Sequence, residues 1–375
     1  MDDIKKFLNK NYKFYINEIN SRIYYKEKES KKSNDLKGYK LLDDYQLNSI
    51  FNKIKKNTNC KSKYELYDLL NSDFVKKLNP IKNYFESLPL WDGNTDYITE
   101  LAKTVHTDNP EFFEKYLKKW LVGMVACAIN PNEINQLVLV LVGKQGCGKT
   151  TWIENLLPKD LKDYHYKGII NPENKDTKVS MGEYLIMNMD ELSTYNSSKI
   201  NSFKEMITLT GITERRPYAR FTEKINRIAS FTATSNDVEI LLDLTGNRRF
   251  LCNNIIGNVD YNHDVKIDRV MAQAYSLYKN GFKYFNDSKD NEEIELQNQN
   301  FMRSNPNKDW LFKVIAKPKD GEGSTKMTAT EIYELLKSKN CKSSISCVEI
   351  GKILSNHDFE SVRINGIKKY KVKVL

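Results

Sequence analysis

A glycine-rich loop that directly follows an apolar segment constrains this 375-residue chain more than any other feature. Residues Gly143 to Thr150 fit the pattern G-x4-G-K-[ST], and the preceding run 137–142 contains only leucine and valine. In this pattern the glycines let successive backbone N–H groups point at the α- and β-phosphates of a nucleotide, at the positive end of the next helix. The alternative is an ordinary glycine-rich turn. The helix-like segment 151–157 favours the phosphate loop, and with it an α/β fold with a parallel central sheet.

The loop pattern assigns roles to its side chains. Lys149 is expected to reach the β- and γ-phosphates, and the Thr150 hydroxyl is expected to ligate Mg2+. ATP and Mg2+ are therefore the predicted nucleotide and metal ion. The predicted nucleotide contacts are Gly143, Gln145, Gly146, Cys147, Gly148, Lys149, Thr150 and Thr151.

A second apolar segment, 184–189, ends in the acidic pair Asp190 and Glu191. Nucleotide hydrolysis needs such carboxylates, because one holds Mg2+ through water and another polarises the attacking water. We assign the first role to Asp190, which forms the metal site with Thr150, and the second role to Glu191. The alternative is that the pair only caps the following helix.

Two further motifs complete the predicted hydrolytic site. The strand-like segment 228–236 ends in Asn236, whose amide is suited to contact both the γ-phosphate and the attacking water; the alternative is a simple turn. Arg248 and Arg249 lie on a turn, and one of them is predicted to act as an arginine finger on a neighbouring subunit while the other anchors or senses. A surface pair without a catalytic task is the alternative. The catalytic candidates are Lys149, Asp190, Glu191, Asn236, Arg248 and Arg249.

Arginine is concentrated in the same part of the chain. Only ten of the 59 basic residues are arginine, and six of those ten fall within residues 215–249. The guanidinium is planar and permanently charged, which suits phosphate recognition. The segment 213–227 mixes basic and aromatic residues and predicts a hairpin that grips a sugar-phosphate backbone. Alternatively, Arg215 and Arg216 contact nucleotide across a subunit boundary. The DNA-binding candidates here are Arg215, Arg216, Tyr218, Arg220, Lys224 and Arg227.

The amino-terminal segment has the pattern of a small mixed α+β module. Residues 14–25 alternate like a hairpin, and helical spacing follows at 43–54 and from a Ser62 cap to Leu70. Further on, apolar residues between 112 and 125 recur at helical spacing and predict one broad buried face of an amphipathic helix packed beneath the strand before the phosphate loop.

The carboxyl-terminal segment changes to a compact basic unit. Helices are predicted from Thr328 and Ser346, and two strands then meet at Asn365-Gly366, a strong hairpin signal. Helix, helix and hairpin in this order predict a winged helix. The alternative is a wing that only keeps the terminus soluble. The positive charges of the wing predicted to bind DNA are Arg363, Lys368, Lys369 and Lys371.

Charge separates the flanks from the middle of the chain. Residues 1–80 carry 18 Lys and Arg against 11 Asp and Glu, residues 306–375 carry 14 against 8, and the remainder has a slight acidic excess. Basic flanks suit a polyanion such as DNA, although a lysine- and asparagine-rich genome gives a similar composition. The sequence lacks a run of eighteen apolar residues and a signal-peptide pattern, so a cytoplasmic location without membrane contact is expected. The six scattered cysteines indicate neither a zinc site nor a disulfide framework.

These motifs, in this order, resemble superfamily 3 helicases of the AAA+ class, and specifically the virulence-associated protein E family of phages, prophages and pathogenicity islands. The similarity spans roughly residues 14–255, and its most specific segments are Trp91 to Gly93 and Asn247 to Phe250. The other segments that carry it are Asn79 to Phe85 with Leu88, the phosphate loop, Asp190 to Leu192, Arg216 to Tyr218, Thr234 to Asn236, and Thr245-Gly246.

The resemblance implies a ring-forming, hexameric, ATP-driven helicase that replicates a mobile element in a bacterial host cell. Many longer relatives carry an amino-terminal primase domain, so primer synthesis is expected from a separate primase or host replication proteins. The predicted domains are an α+β module (1–78), a helical subdomain (79–132), an AAA+-type P-loop ATPase core (133–305) and a winged-helix DNA-binding domain (306–375). The similarity fades past residue 255, so the winged helix is predicted from the sequence pattern alone.

Two functions remain open at this point. The first is a helicase that translocates on single-stranded DNA and opens forked DNA, with ATP hydrolysed at the subunit interfaces of a homo-oligomer. The second is an ATP-switched initiator that binds and locally melts origin DNA without processive unwinding. A small-molecule kinase is disfavoured, because such an enzyme needs neither the arginine pair nor basic flanks.

Overall fold

The computed structural model describes most of the chain, namely residues 2–28, 38–216, 220–241, 246–303, 306–318, 323–339 and 345–375. Contacts divide it into two compact units. The first unit combines residues 1–238 with 248–300, and the second combines 239–247 with 301–375. The finer division into four domains remains a prediction. Among the described residues, no helix has the length and apolar character needed to cross a membrane.

The amino-terminal module contains a four-stranded sheet in the order β3-β2-β1-β4, covered by helices. The predicted hairpin is confirmed, because β1 and β2 pair antiparallel with Phe14 opposite Tyr25. Both predicted helices begin at side-chain caps, Asp43 and Ser62, each of which accepts a backbone N–H from the first turn. The elements are α1 Asp2–Asn11, β1 Tyr12–Asn17, β2 Ile23–Glu27, β3 Lys40–Leu41, α2 Asp44–Asn57, α3 Lys63–Leu70 and β4 Lys77–Leu78.

Three helices follow: α4 Pro80–Ser87, α5 Tyr97–Ala102 and α6 Pro110–Ile129. Helix α6 is buried at every position from Lys119 to Ala128, which confirms the predicted buried helix and extends its buried face to all sides there. The helix packs against the parallel sheet, where the Trp120 indole donates to the Phe231 carbonyl at 3.0 Å, and also against α5. Lys119 is tolerated in this interior because its ammonium pairs with Asp290.

A five-stranded parallel sheet forms the centre of the first unit, in the order β11-β5-β10-β7-β6. All five residues of β5 are buried, as expected for a strand covered on both faces. The elements of this region are β5 Val138–Val142, α7 Lys149–Asn155, a 3-10 turn Lys159–Tyr164, β6 His165–Tyr166, α8 Lys175–Ser180, β7 Ile186–Met189, a 3-10 turn Leu192–Thr194, α9 Ser197–Met206, β8 Gly211–Glu214, β9 Glu223–Asn226, β10 Ser230–Ser235, a 3-10 turn Asn247–Arg249 and β11 Phe250–Asn254.

Two helices complete this unit: α10 Ile267–Lys279 and α11 Ser288–Asn298, the latter followed by a 3-10 turn Gln299–Phe301. Helix α10 packs on α5 and α6, and α11 packs on β11. Asp287 and Asp290 form a reciprocal capping box at the start of α11. The same Asp290 accepts from the buried Lys119 ammonium, so one carboxylate both caps the start of a helix and neutralises an interior charge.

The second unit contains the predicted two helices and hairpin, preceded by elements that the sequence did not indicate. Strand β15 is the centre of its sheet and pairs antiparallel with β12, β13 and β14. The buried core includes Leu311, Ile332, Leu354 and Val372. The elements are α12 Pro306–Val314, β12 Ile315–Ala316, β13 Thr325–Met327, α13 Ala329–Ser338, α14 Cys347–Asn356, β14 Ser361–Ile364 and β15 Ile367–Val374.

The turn between β14 and β15 has the conformation that its sequence predicts. Asn365 and Gly366 both have positive φ, 51° and 78°, as a tight hairpin turn between twisted strands requires. A Cβ added at Gly366 would meet nothing within 4 Å, so only the backbone conformation selects glycine there.

Gly366→Ala is therefore expected to destabilise the hairpin by about 1 kcal/mol, the cost of a left-handed backbone for a residue with a Cβ. Native-state hydrogen exchange of the β14–β15 amides should become about fivefold faster. Gly323→Ala is the matched control, since a Cβ there also meets nothing within 4 Å and φ is not positive. Equal exchange rates in the two variants would contradict this account.

Candidate functional site

The carboxyl ends of three parallel strands bring the predicted catalytic side chains to one edge of the sheet. Ser235 at the end of β10 lies opposite Val142 at the end of β5, and Ala233 lies opposite Met189 at the end of β7. The residues that follow these strand ends are therefore neighbours. Ligand sites in open α/β sheets lie at this edge.

The loop from Gly143 to Gly148 passes directly from β5 into α7. Gly146 and Gly148 have φ of 79° and 96°, values that favour glycine. At Gly148 an added Cβ would also lie 2.6 Å from the Tyr261 ring, so both the backbone and the packing require glycine. Gly148 provides no side-chain cap, which leaves the first N–H groups of α7 without a side-chain acceptor. Such a helix start is suited to an anion.

Lys149 points back across this loop and is buried. Its ammonium donates to the carbonyl oxygens of Gly143 and Lys144, at 2.6 and 2.9 Å, and to Asn236 Oδ1 at 3.1 Å. The Cys147 thiol, also buried, lies 3.8 Å from the same nitrogen. The lysine of the loop and the amide at the end of β10 are thus in direct contact.

Asn236 also contacts the predicted base. Its Nδ2 donates to Glu191 Oε1 at 2.6 Å, so Lys149, Asn236 and Glu191 form one chain of hydrogen bonds. Glu191 has a left-handed backbone with φ of 53°, an uncommon conformation for a residue other than glycine. It precedes a 3-10 turn but makes no side-chain cap hydrogen bond, so the capping alternative does not describe this carboxylate.

Asp190 is held from the neighbouring strand. The buried Thr234 hydroxyl of β10 donates to Asp190 Oδ1, and two residues earlier Thr232 donates to Asn188 at 2.9 Å. Asp190 remains exposed at the strand end, and Thr150 is exposed on the first turn of α7. Gln145 and Thr151 are exposed as well.

The arginine pair lies at the opposite edge of the sheet. Phe250, the first residue of β11, is level with Val138, the first residue of β5. Arg248 and Arg249 therefore precede the amino edge, separated from the loop by a whole strand, about 16 Å long. Arg248 is exposed, whereas Arg249 is half-buried, and its Nε has no hydrogen-bond partner within the described part of the chain. Burial and the charge of Arg248 lower the pKa of the Arg249 guanidinium, which stays protonated.

The predicted basic hairpin is present as the antiparallel pair β8 and β9. Arg215, Arg220 and Lys224 are exposed on it, as is the ring of Phe221. Tyr218 lies outside the described residues. These exposed side chains are basic and aromatic, as the sequence analysis predicted for a hairpin that contacts DNA.

Arg216 does not share that character. Its guanidinium pairs with Glu183 and with Glu223, the latter at 2.5 Å, and donates to the Ile19 carbonyl at 3.0 Å. The side chain is only 11% exposed. Burial raises the pKa of Glu183, and the adjacent Arg216 opposes this shift. Arg216 therefore ties the hairpin to the core and to the amino-terminal module, and its prediction as a DNA contact is corrected.

Arg227 is corrected for the same reason and more strongly. It is 1% exposed, and its guanidinium donates to the carbonyls of Ala229 at 2.8 Å, Asn135 at 2.5 Å and Ile207. The group also stacks 4.9 Å from the Phe231 ring centre. Backbone acceptors satisfy this charge in the interior, so Arg227 is structural and has no surface for DNA.

The four basic residues predicted to form the DNA-binding wing divide into two sets. Arg363 and Lys368 lie opposite each other beside the β14–β15 turn and are exposed. Lys369 pairs with Glu331 at 3.5 Å, and Lys371 pairs with Glu360. Of the four residues predicted to bind DNA, the two exposed ones therefore lie beside the hairpin turn.

The sequence analysis missed two contacts of this site: the hydroxyl of Thr234 on Asp190 and the ring of Tyr261 over Gly148. A signal existed for the first, because Thr232 and Thr234 alternate with Phe231 and Ala233 in a predicted buried strand, and buried hydroxyls need partners. Tyr261 is distant in sequence and carries no comparable signal.

Comparison with known proteins agrees with this α/β architecture. The Virulence-associated protein E-like domain matches residues 85–303, more than half of the chain, and the protein belongs to that family. The apo C-terminal region of NrS-1 is similar over 100% of both chains, with 14% sequence identity and a TM-score of 0.52. A second structure, the A form of the same region, has 13% identity over 99% of both chains and a TM-score of 0.51. These likenesses concern the fold. A search of curated proteins finds no match.

The buried arginine gives a stability test. Arg227→Leu is expected to lower the free energy of unfolding by about 3 kcal/mol, because it leaves several buried carbonyls without a donor. Arg220→Leu removes an exposed arginine from the same region and should change it by less than roughly 0.5 kcal/mol. Urea unfolding followed by circular dichroism measures both, and equal midpoints would contradict the structural role.

Proposed function

We propose that this protein is an ATP hydrolase that acts as a ring-forming DNA helicase, with an AAA+-type P-loop core. The observation that carries the proposal is the hydrogen-bonded chain Lys149–Asn236–Glu191 beside Asp190, at the carboxyl edge of the parallel sheet. Membership of the virulence-associated protein E-like family and the glycine-rich loop support the same reading.

The residues at this edge fit ATP and Mg2+. Two glycines with positive φ and a helix start without a side-chain cap leave backbone N–H groups for phosphate oxygens. Lys149 would bind the β- and γ-phosphates, and Thr150 and Asp190 would hold the metal ion. When bound, Mg2+ neutralises charge on the phosphates.

The other side chains then have distinct tasks. Glu191 accepts a proton from, or polarises, a water molecule, while Asn236 joins that carboxylate to Lys149. Because one amide contacts both groups, a change of the lysine's partners on nucleotide binding would also change the orientation of the base. Asn236 is in this way suited to sense the nucleotide.

The position of the arginine pair supports a homo-oligomer. Arg248 and Arg249 precede the amino edge of the sheet, a strand's length from the loop of their own subunit, which is further than an arginine side chain extends. A guanidinium that completes hydrolysis must then come from a neighbouring subunit, as in a ring, and a hexamer is proposed.

DNA contacts are assigned to the exposed basic groups. Arg215, Arg220 and Lys224 on the β8–β9 hairpin would grip the sugar-phosphate backbone of single-stranded DNA, and Phe221 offers a stacking face. Arg363 and Lys368 would contact duplex DNA, with the second unit acting as a winged helix. Replication of a mobile element in a bacterial cytoplasm, beside a separate primase, is the proposed setting.

A second function, an ATP-switched replication initiator, is favoured by one observation. Two exposed basic residues of the second unit, Arg363 and Lys368, lie beside a hairpin turn, a position suited to duplex recognition. An initiator would melt origin DNA locally but would leave a fork of several tens of base pairs closed. Strand displacement on such a fork separates the two functions, and the helicase requires that the fork opens.

The composite site predicts complementation between defective subunits. Lys149→Ala and Arg249→Ala should each lose more than about tenfold in DNA-stimulated ATPase rate. A mixture of the two variants should recover activity, because some interfaces then combine an intact lysine with an intact arginine. The same mixing with Arg248→Ala identifies the finger. If the ATPase rate of the mixture only equals the sum of the rates of the two separate variants, the arginine is not supplied by a neighbouring subunit.

Thr234 provides a finer test of the carboxylate. Thr234→Val keeps the volume but removes the hydroxyl that holds Asp190, and kcat should fall roughly tenfold with a higher Mg2+ requirement. Thr234→Ser keeps the hydroxyl and should retain most of the activity. If Thr234→Val and Thr234→Ser give the same ATPase rates in a Mg2+ titration, the Thr234 hydroxyl does not position Asp190 for metal binding.

A further inference from the structure

A cavity of about 730 Å3 lies in the first unit, away from the site described above. The amino-terminal module, one side of α4 and the residues just before β6 and β7 line it. Because the strands are parallel, the start of β6 and β7 marks the amino edge of the sheet, whereas the glycine-rich loop lies at the carboxyl edge. We call this cavity the tyrosine cleft, after its six tyrosines: Tyr15, Tyr24, Tyr39, Tyr84, Tyr164 and Tyr184.

The tyrosine rings form an ordered wall. Tyr15 stacks on Tyr24 with ring centres 5.2 Å apart and meets the edge of Tyr39 at 5.0 Å. The Tyr164 hydroxyl accepts from Asn17 at 3.0 Å, and that of Tyr24 accepts from Asn20 at 3.2 Å. Burial raises the pKa of Tyr15 and of Tyr164, so both remain neutral phenols at physiological pH.

Several of these hydroxyls are available to a ligand. The Tyr15 side chain is 6% exposed and lines the cleft, and its hydroxyl makes no hydrogen bond within the described part of the chain. The same holds for the hydroxyls of Tyr39 and Tyr184. A cleft-lining hydroxyl of this kind can accept a hydrogen bond from a ligand in place of water.

The charge of the cleft selects the kind of ligand. Asp160 and Asp163 are exposed on its rim, while Arg22 is the one cation among its lining residues in the described part of the chain. Glu183, also in the wall, is already paired with Arg216. Carboxylates outnumber cations here, although the protein as a whole has a net charge of +10. The rim therefore repels a phosphate backbone and attracts a positive group. Phenol faces bind ammonium and guanidinium groups, and Lys26 already lies 4.7 Å from the centre of the Tyr39 ring.

We infer that the tyrosine cleft is a docking site for a lysine- or arginine-bearing peptide segment of a partner protein. The cationic head lies against the tyrosine faces and donates to the Tyr15 hydroxyl, and the rim carboxylates neutralise its charge. The volume fits several residues, since cavities of roughly 300–1,000 Å3 hold ligands of that size. The negative rim favours this occupant over single-stranded DNA, for which aromatic walls accompany a positive groove.

The test uses the full chain without nucleotide, so its result is independent of the proposed ATPase. A fluorescein-labelled peptide Gly-Arg-Gly-Lys-Gly-Arg is titrated and followed by anisotropy, beside a peptide with glutamine at the charged positions and an oligo-dA. The cationic peptide should bind at least tenfold more tightly than the glutamine peptide, whereas oligo-dA binding, which the β8–β9 hairpin would supply, should be unaffected by Tyr24→Ala. Equal binding of the glutamine peptide, or loss of oligo-dA binding in Tyr24→Ala, would overturn the inference.

Substitutions in the tyrosine cleft distinguish peptide binding at this site from non-specific electrostatic attraction to the protein surface. Tyr15→Phe keeps the ring and should weaken peptide binding about fivefold, the value of one hydrogen bond. The double variant Asp160→Asn, Asp163→Asn should weaken it roughly tenfold and reduce its salt dependence. Asp68→Asn, Asp73→Asn makes the same charge change at exposed positions outside the cleft. If both double variants lower the affinity equally, the attraction is non-specific and the cleft is not the site.

Discussion

The parallel alignment of β5, β10 and β7 is the constraint on which the rest of the first unit depends. Parallel strands of matched register end at one level, so three short segments that are far apart in sequence meet where their strands stop. Such a sheet is stable only when both faces are covered. This requirement accounts for α6, a helix that is buried on nearly every side because it lies between the sheet and other helices.

The sequence was most informative where chemistry sits at the end of a strand. An apolar run followed by glycines, by two carboxylates or by an asparagine predicts both the strand and the position of the polar residue, and the structure brings Lys149, Glu191 and Asn236 into contact. The helix cap at Ser62 was equally predictable, since a cap is a local interaction. The elements that precede the second unit's helices lacked such local signals.

The sequence was least informative about whether a charged side chain faces the protein interior or the solvent. Arg216 and Arg227 have the same composition context as Arg220, yet two of these guanidiniums face protein and one faces solvent. What distinguishes them is a partner far along the chain, such as Glu183 or the carbonyl of Asn135. A pattern read along one strand contains no information about such partners. The same limit applies to the tyrosine cleft, whose walls come from segments more than a hundred residues apart.

The contacts of Arg216 have a mechanical consequence. One guanidinium holds Glu223 at the turn end of the β8–β9 ladder, the Glu183 carboxylate of the core and the backbone of Ile19 in the amino-terminal module. Because these three contacts belong to one rigid, planar group, the turn end of the ladder, the core and the amino-terminal module cannot shift independently without breaking at least one of them.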